Sequence, residues 1–163
     1  MSYDIPMENI KAVAELYKEY QIPFYIDACR FAENAYFIKL REEGYSGRSI
    51  PEIVLEMFSY ADAMTMSAKK DGIVNMGGFI GLRDEELYEK ASTYNIMFEG
   101  YLTYGGMTGR DMNALASGLR EATDFEYLET RIRQTEYLAN RLIDQGIPVQ
   151  RPTGGHAVYV DAT

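Results

Sequence analysis

The chain has 163 residues, of which 47% are hydrophobic and 25% are charged. This length and apolar content suit one soluble domain with a core and argue against intrinsic disorder. Sixteen Lys and Arg residues against 25 Asp and Glu residues give a net charge of −9, so we expect neither nucleic acid nor a membrane as a partner. The single cysteine, Cys29, cannot form an internal disulfide. Because no signal peptide or bilayer-length apolar segment is present either, we expect a cytoplasmic protein.

Helical and strand patterns alternate along the chain. Apolar residues at helical spacing predict helices, and short apolar runs rich in strand formers predict strands. In chain order the predicted elements are a helix over 8–20, a strand over 22–26, helices over 31–43 and 50–60, strands over 61–66 and 77–82, a helix opening at 84–86, a helix from about 110, a helix over 124–145, and strands over 147–150 and 157–160. This alternation predicts an α/β fold with a mostly parallel sheet and flanking helices.

The first chemical candidate is Asp27, which directly follows a predicted buried strand. Ligands of open parallel sheets bind beyond the carboxyl ends of the strands, so a carboxylate there can pair with a cation or a protonated ring nitrogen. Arg30 lies one helical turn further on. In the competing interpretation, Asp27 caps the following helix and Arg30 is its local ion-pair partner.

The second candidate is the segment Ser67-Ala68-Lys69-Lys70, which follows the next predicted strand. Partial burial of one lysine would depress its pKa and make its amine nucleophilic, as Schiff-base chemistry requires. Ser67 and Lys69 could hold a phosphate. The alternatives are a solvated loop with ordinary lysines, or the Ser-x-x-Lys spacing of a serine nucleophile, whose companion motifs are absent from the chain.

Asp27 and Lys70 together indicate a more specific site than either residue alone, because both lie at the same edge of the predicted sheet. A carboxylate and a nucleophilic amine facing one crevice suit pyridoxal phosphate. The lysine would bind the cofactor covalently, and the carboxylate would keep the pyridine nitrogen protonated. Arg30 could then reach the phenolic oxygen of the ring.

Several long segments carry a specific resemblance. They are DACRFAENAYFIK at 27–39, MFSYAD at 57–62, MSAKKD at 66–71 and GGHA at 154–157. In these segments, and over essentially its whole length, the chain resembles the tryptophanase and tyrosine phenol-lyase family. That resemblance implies the aspartate-aminotransferase-like fold and pyridoxal-phosphate-dependent β-elimination, which splits an aromatic amino acid into indole or phenol, pyruvate and ammonia.

The resemblance also implies roles for individual residues. Lys70 would be the covalent cofactor lysine and would remove the substrate's α-proton. The other matches are Asp27 to the partner of the pyridine nitrogen, Arg30 to the residue near the ring oxygen, Ser67 and Lys69 to phosphate contacts, Asn75 to the coordination of an activating potassium ion, and Tyr104 to an active-site tyrosine. A homotetramer is expected from the family alone.

Two further expectations concern the substrate and how much of a family member the chain represents. Segments 30–34 and 103–106 favour tryptophanase, whereas 74–75 and 109–112 fit tyrosine phenol-lyases equally well, and we expect tryptophan as the substrate. Family members are more than twice as long, so we expect an internal fragment that is inactive alone or a non-catalytic remnant. Residues 1–122 would then be the C-terminal half of the large cofactor domain, and 123–163 a connecting helix and the start of the small domain.

Overall fold

The described residues form one three-stranded sheet and six helices. A computed structural model describes residues 4–162. Over this range the strands are β1 (Tyr25–Asp27), β2 (Ala63–Ser67) and β3 (Gly78–Leu82), and the helices are α1 (Met7–Glu19), α2 (Phe31–Arg41), α3 (Ile50–Ser59), α4 (Glu85–Phe98), α5 (Gly109–Glu121) and α6 (Phe125–Asp144).

The sheet is mixed, with the order β1-β2-β3. Strands β1 and β2 are parallel, and Asp27 lies opposite Thr65. Strands β2 and β3 are antiparallel, and Ser67 lies opposite Gly78. The expectation of a mostly parallel sheet is therefore not confirmed. The physical reason is the connection between β2 and β3, which contains no helix and is too short for a parallel crossover.

Polar residues at the helix starts explain where several helices begin. Ser49 and Glu52 form a reciprocal capping box at α3, each accepting a backbone N–H of the other. At α4, α5 and α6, the side chains of Asp84, Thr108 and Asp124 each accept the N–H three residues further on. Such caps satisfy backbone donors that a helix start leaves without intrahelical partners.

The core lies where α2 packs against α3 and α6. The buried apolar residues of these three helices in the core cluster are Phe31, Ala32, Ala35, Tyr36, Phe37, Ile38, Ile50, Ile53, Met57, Leu128 and Ile132. Helix α6 thus shares a core with the preceding helices, and the proposed boundary at residue 122 stays a prediction.

The end of the chain differs from the expectation. Strands were expected over 147–150 and 157–160, but the structure has a single antiparallel bridge between Val149 and Val160 there. The intervening residues Pro152, Gly154 and Gly155 do not favour extended ladders. Within residues 4–162, no helix has the length and apolar content needed to cross a membrane.

Candidate active site

Asp27 and Lys70 meet at the carboxyl ends of the parallel pair β1 and β2. Asp27 ends β1, Lys70 follows the last residue of β2 by three positions, and the Ala28 N–H donates to the Thr65 carbonyl at 2.8 Å. Hydrogen bonds from the thiol and the backbone N–H of Cys29 lower the pKa of the Asp27 carboxyl, and the positive charge of Lys70 lowers it further. The structure therefore combines an ionised carboxylate with a nearby amine.

The interpretation of Asp27 as a helix cap is wrong. Its Oδ1 accepts the Cys29 N–H at 3.0 Å, two residues on, and not a donor within α2. The N-cap position of α2 belongs to Arg30, whose side chain makes no capping hydrogen bond. Arg30 also does not pair with Asp27: its Nη1 lies 3.4 Å from Oε2 of Glu33.

Ser67 is the last residue of β2 and is half-buried. Its backbone N–H donates to Sγ of Cys29 at 3.1 Å, which ties the ends of β1 and β2 together. Ala68 is fully buried, whereas Lys69 and Lys70 are both exposed. The partial burial of one lysine considered from the sequence is thus absent from this structure, and both amines are accessible.

The loop between β2 and β3 is held by close backbone contacts. A Cβ at Gly118 of α5 would lie 2.0 Å from the Gly72 carbonyl oxygen, so the helix and the loop touch backbone to backbone. A Cβ at Gly77 would lie 2.6 Å from Cε of Met107. Between these contacts, Ile73 has φ +55°, a strained value for a β-branched residue. The packing of α5 and of the 101–107 turn therefore defines the path of the chain after Lys70.

The two remaining predicted site residues are Asn75 and Tyr104. Asn75 is an exposed residue of the loop itself, and Tyr104, 47% exposed, lies on the turn that carries Met107. Since Met107 contacts the loop at Gly77, both residues lie around the segment that follows Lys70. Their roles stay predictions. Within the described range 4–162, no three His, Cys, Asp or Glu side chains are grouped as ligands for a metal ion.

Sequence reasoning missed a buried ionic cluster beside the site. Glu33 and Asp71 are 3% and 1% exposed. Arg131 of α6 contacts both, with Nη2 at 3.0 Å from Oε2 of Glu33 and Nη1 at 3.4 Å from Oδ1 of Asp71. Nδ1 of His156 lies 2.9 Å from Oε1 of Glu33. His156 is therefore a further partner of this buried carboxylate.

One signal of this cluster was available in the sequence. Glu33 stands in an otherwise apolar run, next to Phe31 and Ala32 and before Ala35 and Tyr36. An acidic residue on a buried helix face needs a cationic or hydrogen-bonding partner. Two of its partners, Arg131 and His156, were not predictable, because they lie 98 and 123 residues away in the chain.

Comparison with known proteins identifies the family. Residues 4–161 match the family described as beta-eliminating lyase. The chain belongs to the beta-eliminating lyase family. The resemblance drawn from segments such as 27–39 and 66–71 is thereby confirmed.

Relatives of this beta-eliminating lyase chain have several names. It is 65% identical to a Trichomonas vaginalis protein named as a beta-eliminating lyase, 56% to a tyrosine phenol-lyase of Clostridium tetani, and 53% to a tryptophanase of Salinibacter ruber. Each match covers 97% of this chain and 34% of the relative. The chain thus spans about a third of the length of these curated relatives.

A solved structure from Exiguobacterium, assigned as an aromatic amino acid beta-eliminating lyase/threonine aldolase, has the same fold. Its TM-score is 0.63 over 94% of this lyase-family chain and 39% of the other, at 16% identity. At that identity the likeness concerns the α/β fold alone.

Proposed function

We propose that this chain carries the cofactor-lysine portion of a pyridoxal-phosphate-dependent lyase that β-eliminates an aromatic amino acid. The observation that carries the proposal is the placement of Asp27 and Lys70 at the carboxyl ends of the parallel strands β1 and β2, near enough for the charge of Lys70 to lower the pKa of Asp27. Ligands of such sheets bind at this edge. A carboxylate with a lowered pKa opposite an accessible amine matches the two ends of pyridoxal phosphate, a ring nitrogen and an aldehyde.

The donor set fits this cofactor. Asp27 stays ionised and can hold a protonated pyridine nitrogen. Lys69 and Ser67, on either side of buried Ala68, can contact a phosphate. Arg30 is half-buried and contacts Glu33 through Nη1, so its guanidinium lies at the start of α2. When bound, pyridoxal phosphate supplies an electron sink for the bond cleavage.

In the proposed reaction, Lys70 and Asp27 bind and transfer the protons. Lys70 is exposed, so its amine is accessible to a cofactor and a substrate. With pyridoxal phosphate bound, the Lys70 amine would be the group that holds it covalently and, when free, the base for the substrate's α-proton. The negative charge of Asp27 would keep the proton on the ring nitrogen.

We further propose tryptophan as the substrate, supported by segments 30–34 and 103–106. The alternative is tyrosine, supported by the 56% identity to the Clostridium tetani tyrosine phenol-lyase. Asn75 as a potassium contact, Tyr104 as an active-site tyrosine, the aspartate-aminotransferase-like fold, a homotetramer and a cytoplasmic location belong to the same proposal. The location rests on the composition of the sequence, and the others rest on the resemblance to the family.

Cofactor binding is tested with two neighbouring lysines. The purified chain is mixed with pyridoxal phosphate and reduced with borohydride, and the intact mass is measured. We expect one added cofactor in the wild type and in Lys69→Ala, and labelling lower by about tenfold or more in Lys70→Ala. Equal labelling of the two variants would contradict the assignment of Lys70.

Substrate choice is tested with chimeras. Residues 4–161 replace the matching third of the Salinibacter ruber tryptophanase and, separately, of the Clostridium tetani tyrosine phenol-lyase. We expect pyruvate release from tryptophan to be favoured over release from tyrosine in both backgrounds, compared with each parent. A shift towards tyrosine in both would support the alternative substrate.

A further inference from the structure

Asp71, the residue after Lys70, joins the loop that follows β2 to the start of α2. Its side chain is 1% exposed. Oδ2 accepts two backbone N–H groups of α2, from Ala32 at 2.9 Å and from Glu33 at 3.1 Å. These residues are 39 and 38 positions away in sequence. Two segments distant in the chain are therefore joined by one carboxylate.

This carboxylate takes the place of a missing helix cap. The first N–H groups of a helix have no intrahelical partner, and a side chain at the N-cap position usually accepts one of them. In α2 the N-cap residue is Arg30, a cation that makes no capping hydrogen bond. Asp71 instead supplies the acceptor from outside the helix, and its negative charge is favourable at the positive end of the helix dipole.

The main chain of Asp71 makes a second connection. Its N–H donates to the Cys29 carbonyl at 3.2 Å. Cys29 in turn hydrogen-bonds Asp27. Asp71 thus contacts the segment between Asp27 and α2 through its backbone and the first turn of α2 through its side chain, while Lys70 is its direct chain neighbour.

Arg131 of α6 contacts the second carboxylate oxygen of Asp71. Its Oδ1 lies 3.4 Å from Nη1 and Nη2 of Arg131, which also contacts Glu33. Burial raises the pKa of the Asp71 carboxyl, while the Glu33 N–H and the charge of Arg131 oppose this effect. The Asp71 carboxylate therefore faces backbone donors on one side and a cation on the other.

We propose that Asp71 is a positioning residue that fixes the Lys70 turn against the Asp27 segment, and so sets the placement of the cofactor amine relative to the carboxylate that holds the ring nitrogen. The inference rests on the proposed function. It differs from a purely structural role, because it predicts an effect on which lysine reacts and not only on stability.

The test measures the choice between two adjacent lysines. The folded chain is labelled with pyridoxal phosphate, reduced with borohydride and digested, and the labelled peptides give the ratio of adduct at Lys70 to adduct at Lys69. For the wild type we expect a preference of about tenfold or more for Lys70, since a positioned amine reacts faster than a free one. In Asp71→Ala we expect the ratio to fall towards one.

Two variants separate hydrogen bonding from charge. Asp71→Asn keeps a carbonyl oxygen for the two α2 N–H groups, so we expect it to retain most of the preference although the charge is lost. Glu33→Gln removes a charge from the same cluster, and its side chain does not touch the Lys70 turn, so it is the matched control with an expected wild-type ratio. Folding of each variant is checked by urea unfolding.

The outcomes are distinct. A folded Asp71→Ala chain with the wild-type ratio would overturn the inference. If Asp71→Ala does not fold, equal labelling of the two lysines in folded Asp71→Asn would overturn it instead, and a retained preference would support it. Equal labelling in the wild type itself would contradict the proposed function, which is a different failure.

Discussion

Replacing Gly118 by alanine tests the close contact between α5 and the loop that carries Lys70. Alanine normally stabilises a helix relative to glycine, by about 0.5–1 kcal/mol. At Gly118 the added Cβ would lie 2.0 Å from the Gly72 carbonyl oxygen and 3.4 Å from Cβ of Ile73. The obstructing atom is backbone, so no side-chain rotation can relieve the contact.

The expected cost follows from this distance. Ordinary van der Waals contact begins near 3.4 Å, so the helix or the Gly72 carbonyl must move by more than 1 Å. Overpacking of this kind costs about 1–3 kcal/mol, which exceeds the gain in helix propensity. We therefore expect Gly118→Ala to lower the free energy of unfolding by about 1–2 kcal/mol.

Urea unfolding followed by circular dichroism measures the effect. The matched control is Gly109→Ala, at the first position of the same helix, where an added Cβ meets no atom within 4 Å. The control should be neutral or more stable by up to about 1 kcal/mol. A Gly118→Ala chain at least as stable as the control would refute the packing described between α5 and the loop.

Two further predictions concern the buried Glu33 and the acid stability of the fold. In Gly155→Ala the new Cβ would lie 2.4 Å from Oε1 of Glu33, a carboxylate that Arg131 and His156 hold in place. We expect the free energy of unfolding in urea to fall by about 1–3 kcal/mol. The control is Gly47→Ala, where an added Cβ meets no atom within 4 Å and we expect little change. Equal stability of these two variants would contradict the cluster geometry. Burial alone would raise the pKa of Glu56, but hydrogen bonds from two cations and a tyrosine outweigh it and lower the pKa to about 2. Because the folded pKa is depressed, this stabilisation is present above the ordinary value of 4.5 and is lost as the pH falls towards 2. The stability difference between wild type and Glu56→Gln, about 1–2 kcal/mol at neutral pH, should therefore narrow over this window in urea titrations, and a constant difference would contradict the assignment.

Local patterns were sufficient to locate the helices and the three main strands. The run at 22–26 overlaps β1, and the long charged pattern at 124–145 contains α6, with Asp124 as its cap. These features depend on the spacing of nearby apolar residues and on the capping side chains at the helix starts. They are therefore readable without knowledge of the tertiary fold.

The direction of β3 and the ends of the chain were less predictable. An antiparallel β2–β3 pair follows from how the loop 68–77 folds back, which strand composition does not encode. The apolar runs around Val149 and Val160 read as strands, but they form one bridge. Pairing partners, and not local propensity, determine whether such runs become ladders.

The candidate site was predictable in part. Asp27 and Lys70 were expected at one edge of the sheet, and the parallel register of β1 and β2 places them there. The contact of Arg30 with Glu33 and the cap that Asp71 supplies to α2 were not expected. The first is a local contact between residues three positions apart, whereas the second joins residues 39 positions apart that are brought together by packing, for which no short motif exists.

A crystal structure of the borohydride-reduced, pyridoxal-phosphate-labelled chain tests the central claim most directly. We predict that the cofactor is attached to Nζ of Lys70, with its ring nitrogen within about 3 Å of an Asp27 carboxylate oxygen. A ring nitrogen facing solvent or another residue, or attachment at Lys69, would contradict the account.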